Sequence, residues 1–289
     1  MSDLRSLLLR TADHAAAYRD ATAETTVYPT VDRDAVRVAI GGRLPDGPSP
    51  AEDVVDQLIA GLEPAMVATT GPRYFGFVVG GALDAATAVD MLAVGWDQPA
   101  YNHLSSPASA LVEEVAGRWL VEILGLPHDA SFGFVTGAQG ANTVCLAAAR
   151  HKVLDDAGWD VERDGLHGGP GARVVASEER HATIDRTLRL LGFGTGAILP
   201  VATDGNGAID IASLRDVLAG GPTVPTIVCL QAGNVNTGAC DDLASAVAVA
   251  HEYGAWAHVD GAFGLWAAAS PSTQHLVAGI ETADSWATD

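Results

Sequence analysis

The chain has 289 residues, enough to bury a substantial core and to form one large or two modest domains. Its 16 lysines and arginines stand against 36 aspartates and glutamates, a formal net charge of −20, with 48% hydrophobic and 18% charged residues. That balance argues against both a disordered chain and a nucleic-acid binder. All but one of the cationic side chains are arginines, so any chemistry that needs a lysine must use Lys152.

In chain order, Leu4, Leu7, Leu8, Thr11, Ala15 and Tyr18 form a helical stripe, GGRLPDGPSP breaks it, and a second helix fits Ala51 to Leu62. The glycine- and aromatic-rich GPRYFGFVVGG reads as a loop. The apolar stretch from Phe75 to Trp96 is interrupted by Asp84, Asp90 and glycines, so no membrane span is expected there. A further helix, Ser109 to Leu124, stops at Gly125 with Pro127 beyond. Apolar runs then recur near 132–136, 172–177, 197–202, 226–231 and 256–260, and Ala283 to Asp289 reads as one more strand. Helical patterns alternate with them at 139–152, 182–191, 211–219 and 241–253, with Asp210 and Asp241 placed as helix-starting acids. The alternation predicts an α/β fold with a largely parallel sheet over 101–289, after a helical segment over 1–100.

Ligands of such sheets bind beyond the carboxyl ends of the strands. There the pattern sets TGAQGAN (Thr136 to Asn142) running into a helix, SEERH ending on His181, QAGNVNTG (Gln231 to Gly238), and HVDGAFG with Asp260 in an apolar run. Small residues at a helix start admit a phosphate to free N–H groups. A buried carboxylate costs several kcal/mol unless a cation or donor meets it, and a protonated ring nitrogen is one such partner. Singly these signals are weak, since a plain strand-to-helix turn and a helix-starting histidine explain two of them. There is no G-x-S-x-G elbow, H-E-x-x-H helix or C-x-x-C pair, and His258 reads as strand alternation. Cys145, Cys229 and Cys240 read as reduced thiols, and with no secretion signal in MSDLRSLLLR a cytoplasmic protein is expected.

The stretches PRYFGFV, TGAQGANTVCLAAAR, SEERHATIDRTLRLLG, QAGNVNTGACDDL and HVDGAFGLWAAAS, in this order, resemble the pyridoxal-dependent decarboxylase family of amino-acid decarboxylases. The resemblance implies the type I pyridoxal-phosphate-dependent transferase fold and α-decarboxylation of an amino acid. It implies that Gly137, Ala138, Gln139 and Gly140 cradle the phosphate of pyridoxal 5'-phosphate and that His181 stacks on the ring. Asp260 would pair with the ring nitrogen, carrying a depressed pKa, and Ala262 would pack on the ring face. Thr237 would lie near the ring, and Tyr74 and Phe75 would line the substrate side. The partners implied are a small amino acid and, in the complete protein, a second copy in a homodimer, with no nucleic acid and no membrane. In the family a His-Lys pair follows the strand that matches ADSWATD, and its lysine bonds the cofactor. The resemblance therefore implies a chain truncated before that lysine, without the small carboxyl-terminal domain and inactive alone.

The rival readings are another enzyme of the same fold, such as an aminotransferase, and a degenerate paralogue acting as a binding partner. A short-chain reductase is disfavoured because Ala148 stands where Tyr-x-x-x-Lys would need tyrosine before Lys152.

Overall fold

Helices supply the regular structure of Met1–Asp97, the first of two units into which the chain divides. The computed structural model describes residues 3–221 and 223–289. Helix α1 (Leu4–Ala21) begins at Asp3, whose carboxylate accepts the Arg5 N–H, and α2 (Arg33–Ile40) begins at Asp32 in the same way. Helices α3 (Ala51–Leu62) and α4 (Asp84–Trp96) complete the unit. A Cβ at Gly61 would stand 2.6 Å from Ile40 Cγ2, so this glycine lets α2 and α3 approach. Helix α2 is one-sided but spans only 8 residues, too short for its stripe to repeat, and the apolar residues of α4 lie all round it, so neither stands out as a helix in sequence.

The second unit, Gln98–Asp289, holds α5 (Pro107–Ile123), α6 (Gly137–Asp155), α7 (Val161–Asp164), β1 (Arg173–Ser177) and α8 (Ala182–Leu190). It continues through β2 (Ile198–Val201), α9 (Ile211–Ala219), β3 (Thr226–Gln231), α10 (Leu243–Glu252), β4 (Trp256–Asp260) and β5 (Ser285–Ala287). The strands form one parallel sheet ordered β2-β1-β3-β4-β5, the α/β architecture that the alternation predicts. Strand alternation sorts the core. Val175, Val228, Leu230 and Val259 pack with Leu214, Leu218 and Val247 of α9 and α10. Val174, Ala176, Ile227 and Cys229 pack with Leu146, Ala149, Ile184 and Leu188 of α6 and α8. Helices on both faces explain why the strands read as nearly continuous apolar runs.

Two expectations are corrected. The apolar run 132–136 forms no strand: β5 ends the sheet, and Phe134 and Val135 remain about half exposed. Without a hydrogen-bonding neighbour, an extended segment cannot become part of a sheet. Asp241 does not start α10. Asp242 caps that helix by accepting the Ser245 N–H, while Asp241 turns inward to the backbone of Ile209 and Gln231. Asp210 does cap α9, accepting from Ser213 at 2.6 Å. No helix among the described residues is long and apolar enough to cross a membrane.

Candidate functional site

The sheet aligns its carboxyl ends, bringing Gln231 of β3, Asp260 of β4 and Ala287 of β5 into one row. Asp260 is 6% exposed. Its Oδ1 accepts the Ala262 N–H at 3.3 Å, and the Asn142 amide is a second neutral donor that lowers the pKa of the carboxyl. Burial pushes the Asp260 carboxyl above the ordinary range, against the pull of Ala262, Asn142 and the nearby His181, while Asp289 adds to the rise. The depressed value expected from sequence depends on a ring cation beside the carboxylate, and the chain's own residues supply none. The two donors facing Asp260 are neutral amides, and among the described residues no ion pair reaches it.

Helix α6 starts beside this carboxylate. Thr136 gives its first turn no side-chain cap, and Gly137 sits at φ 68°, a conformation that favours glycine. The Ala138 N–H donates to Asp289 Oδ2 at 2.8 Å, so the helix start already takes an anionic oxygen. A Cβ on Gly140 would meet Val135 at 3.3 Å, so the small residue lets the preceding segment lie close. Gln139 turns its side chain away into α8, where Nε2 donates to Thr187 Oγ1 at 2.8 Å and to the Thr183 carbonyl at 3.3 Å. Only its backbone remains at the helix start.

His181 is the N-cap of α8; its Nδ1 accepts the Thr183 N–H at 3.4 Å and lies 3.0 Å from Thr183 Oγ1. His181 as a whole is exposed. Ala262 is half-buried after β4, and its carbonyl accepts the Asp289 N–H at 2.9 Å. Thr237 is exposed and its hydroxyl is committed to the Asn206 carbonyl at 2.6 Å. Tyr74 and Phe75 belong to the first unit, in a loop where Phe75 is 92% exposed. Lys152 lies in the last turn of α6, paired with Asp156. At 1.5 Å per residue this places it about 20 Å from the helix start.

Sequence reasoning passed over the buried polar chain behind Asp260. His258 is fully buried, with Nδ1 2.9 Å from Ser285 Oγ and Nε2 2.9 Å from Asn142 Oδ1. Burial pushes its pKa down to about 4, so the imidazole is neutral at physiological pH. Two signals mark this chain in retrospect. His258 and Asp260 are two residues apart and share a strand face, while Asn142 is an asparagine inside a helix, four residues from Ala138.

The conserved domain of pyridoxal-dependent decarboxylases matches residues 36–289. Tryptophan decarboxylase 1 of Oryza sativa subsp. japonica is 27% identical, over 98% of this chain and 57% of its own length. The aromatic-L-amino-acid decarboxylase of Bacillus atrophaeus is 26% identical, over 99% of this chain and 58% of its own. The crystal structure of Oryza sativa TDC with PLP and tryptamine superposes with a TM-score of 0.88 at 26% identity, covering 99% of this chain and 60% of that one. The chain thus spans a little over half the length of these relatives. The fold is the type I fold of pyridoxal-phosphate-dependent decarboxylases.

The residues present suit that cofactor at two of its three attachment points. A buried carboxylate with only neutral donors suits a protonated ring nitrogen, and a helix start that binds a carboxylate oxygen suits a phosphate. The third point, a lysine for the aldehyde carbon, has no counterpart here, because Lys152 is the only lysine and is engaged elsewhere.

Proposed function

The chain belongs to the pyridoxal-dependent decarboxylase family, and from that premise we propose that it is the cofactor-binding part of a decarboxylase acting on an aromatic L-amino acid. The buried Asp260 carboxylate, met only by neutral donors, carries this reading. The substrate class rests on relatives named for tryptophan, tyrosine and aromatic amino acids.

Bound pyridoxal phosphate supplies an electron sink for breaking the bond from the α-carbon to the carboxylate. Asp260 would hold a proton on the ring nitrogen, as a carboxylate partner in a low-dielectric site does. Gly137 and Ala138 would hold the phosphate by their N–H groups, the Ala138 N–H in place of its bond to Asp289, with Gly140 keeping the helix start slim. His181, with Nδ1 occupied by Thr183, and Ala262 would pack against the ring. By itself the chain binds the cofactor and does not turn over, since Lys152 is about 20 Å along α6 from the phosphate end. Three free thiols support a reducing cytoplasmic setting. The exposed Leu111, Val112, Val115 and Trp119 of α5 support a homodimer in the complete protein.

The test is equilibrium binding of pyridoxal 5'-phosphate to the purified chain, followed by carbon dioxide release from L-tryptophan and L-tyrosine. Saturable binding without carbon dioxide is the expected result. Release of carbon dioxide by the chain alone would refute the inactivity, and absence of any binding would refute the cofactor site.

A further inference from the structure

Between β4, β5, α6 and α8 a hydrogen-bonded chain runs from a group that can only donate to a group that can only accept. Trp256 Nε1 donates to Ser285 Oγ at 2.9 Å, and Ser285 Oγ meets His258 Nδ1 at 2.9 Å. His258 Nε2 meets Asn142 Oδ1 at 2.9 Å, and the Asn142 amide acts on the Asp260 carboxylate as a donor that lowers its pKa. An indole N–H has no acceptor and an ionised carboxylate has no donor. An amide oxygen carries no proton, so with Asn142 Oδ1 facing it His258 Nε2 is the donor, and the neutral ring then leaves Nδ1 to accept. Ser285 gives its proton to His258 Nδ1, His258 carries its proton on Nε2 and gives it to Asn142 Oδ1, and both Asn142 N–H bonds face outward to the site.

One of those N–H bonds serves Asp260. The other reaches Thr183 Oγ1 at 3.4 Å, which leaves the Thr183 hydroxyl to donate to His181 Nδ1, 3.0 Å away. The same polarity therefore reaches both residues assigned to the cofactor ring.

We propose that Ser285, His258 and Asn142 are positioning residues that set the hydrogen-bond direction of the site, orienting the Asp260 carboxylate and fixing His181 as the tautomer with its proton on Nε2. This proposal rests on the cofactor reading above for its consequence, but its hydrogen-bond directions are a property of the chain itself. A buried neutral histidine bonded on both nitrogens would otherwise be a packing residue.

Long-range proton–nitrogen NMR of the 15N-histidine-labelled chain reads the tautomers directly and needs no variant. His258 and His181 are expected as neutral Nε2–H forms. A His258 Nδ1–H form overturns the proposal. The functional arm compares pyridoxamine phosphate, which has a ring, with inorganic phosphate, which does not. His258→Leu should weaken pyridoxamine phosphate by roughly tenfold or more and phosphate by little, while His258→Gln, whose amide can donate from the Nε2 position, should stay within about threefold of the parent. Equal weakening of both ligands in His258→Leu, or no rescue by His258→Gln, assigns the residues to packing alone and overturns the positioning role. If the unaltered chain binds neither ligand, the cofactor reading fails, while the tautomer spectrum still decides the relay.

Discussion

Two buried aspartates stand at the same end of the sheet, and their surroundings differ in one respect. Asp241 is 3% exposed and accepts two short backbone hydrogen bonds, from Ile209 at 2.7 Å and Gln231 at 2.6 Å. Asp260, 6% exposed, is the register partner of that same Gln231, yet its backbone donor is the single Ala262 N–H at 3.3 Å. Burial raises both carboxyls. A carboxylate satisfied by the backbone belongs to the fold, tying the 203–209 turn to the end of β3. A carboxylate buried with a single long backbone bond costs stability and is available to a ligand that brings its own proton.

The comparison breaks most sharply by truncating each aspartate in turn. Asp260→Ala should weaken pyridoxamine phosphate about a hundredfold, the loss of one charge-assisted hydrogen bond, and leave the melting temperature unchanged or slightly higher. Asp241→Ala should do the reverse. It leaves the Ile209 and Gln231 N–H groups buried and unpaired, a loss of about 3 kcal/mol measurable by urea unfolding. Ligand affinity, measured where the variant remains folded, should change little. If Asp260→Ala were the strongly destabilising variant, the division between ligand-binding and fold-holding carboxylates would be wrong.

Acid titration sharpens the same contrast. Burial pushes the Asp241 carboxyl up to about 6, against an unfolded value near 3.9. Because the folded state then binds this proton more tightly, Asp241 favours folding most below pH ~4. That contribution is lost as the pH rises through about 6, a change of up to about 3 kcal/mol. In urea unfolding across pH 4 to 6, the Asp241→Asn variant should lack this fall in stability relative to the parent chain. Parallel pH profiles for the two chains would assign the slope to other groups.

Much of this was legible in sequence because it depends on local pattern. The parallel strands, the glycines at the start of α6, His181 at a helix start and Asp260 at a strand end all follow from periodicity and punctuation. What escaped depends on contacts between distant residues. Asp241 looks like a helix cap until the turn that brings Ile209 over it is known. His258 looks like an alternating strand residue until Asn142, 116 positions away, meets its Nε2. The run 132–136 has the composition of a strand, but composition cannot supply the neighbour that a strand needs.

The smallest expected effect concerns the phosphate end, where Asp289 places a carboxylate oxygen 2.8 Å from the Ala138 N–H. That oxygen uses the donor a phosphate would need, and its charge also raises the Asp260 carboxyl. Asp289 is therefore a competitor for the anion site as well as an electrostatic burden on the ring site. Asp289→Asn removes the charge while keeping the shape, and interactions of this kind at a helix start are worth about 0.3–1 kcal/mol. Inorganic phosphate should then bind roughly two- to fivefold more tightly by 31P NMR titration, with pyridoxamine phosphate improved at least as much. A fall in phosphate affinity would mean that Asp289 helps to shape the cradle, and the anion site would then have to include its side chain.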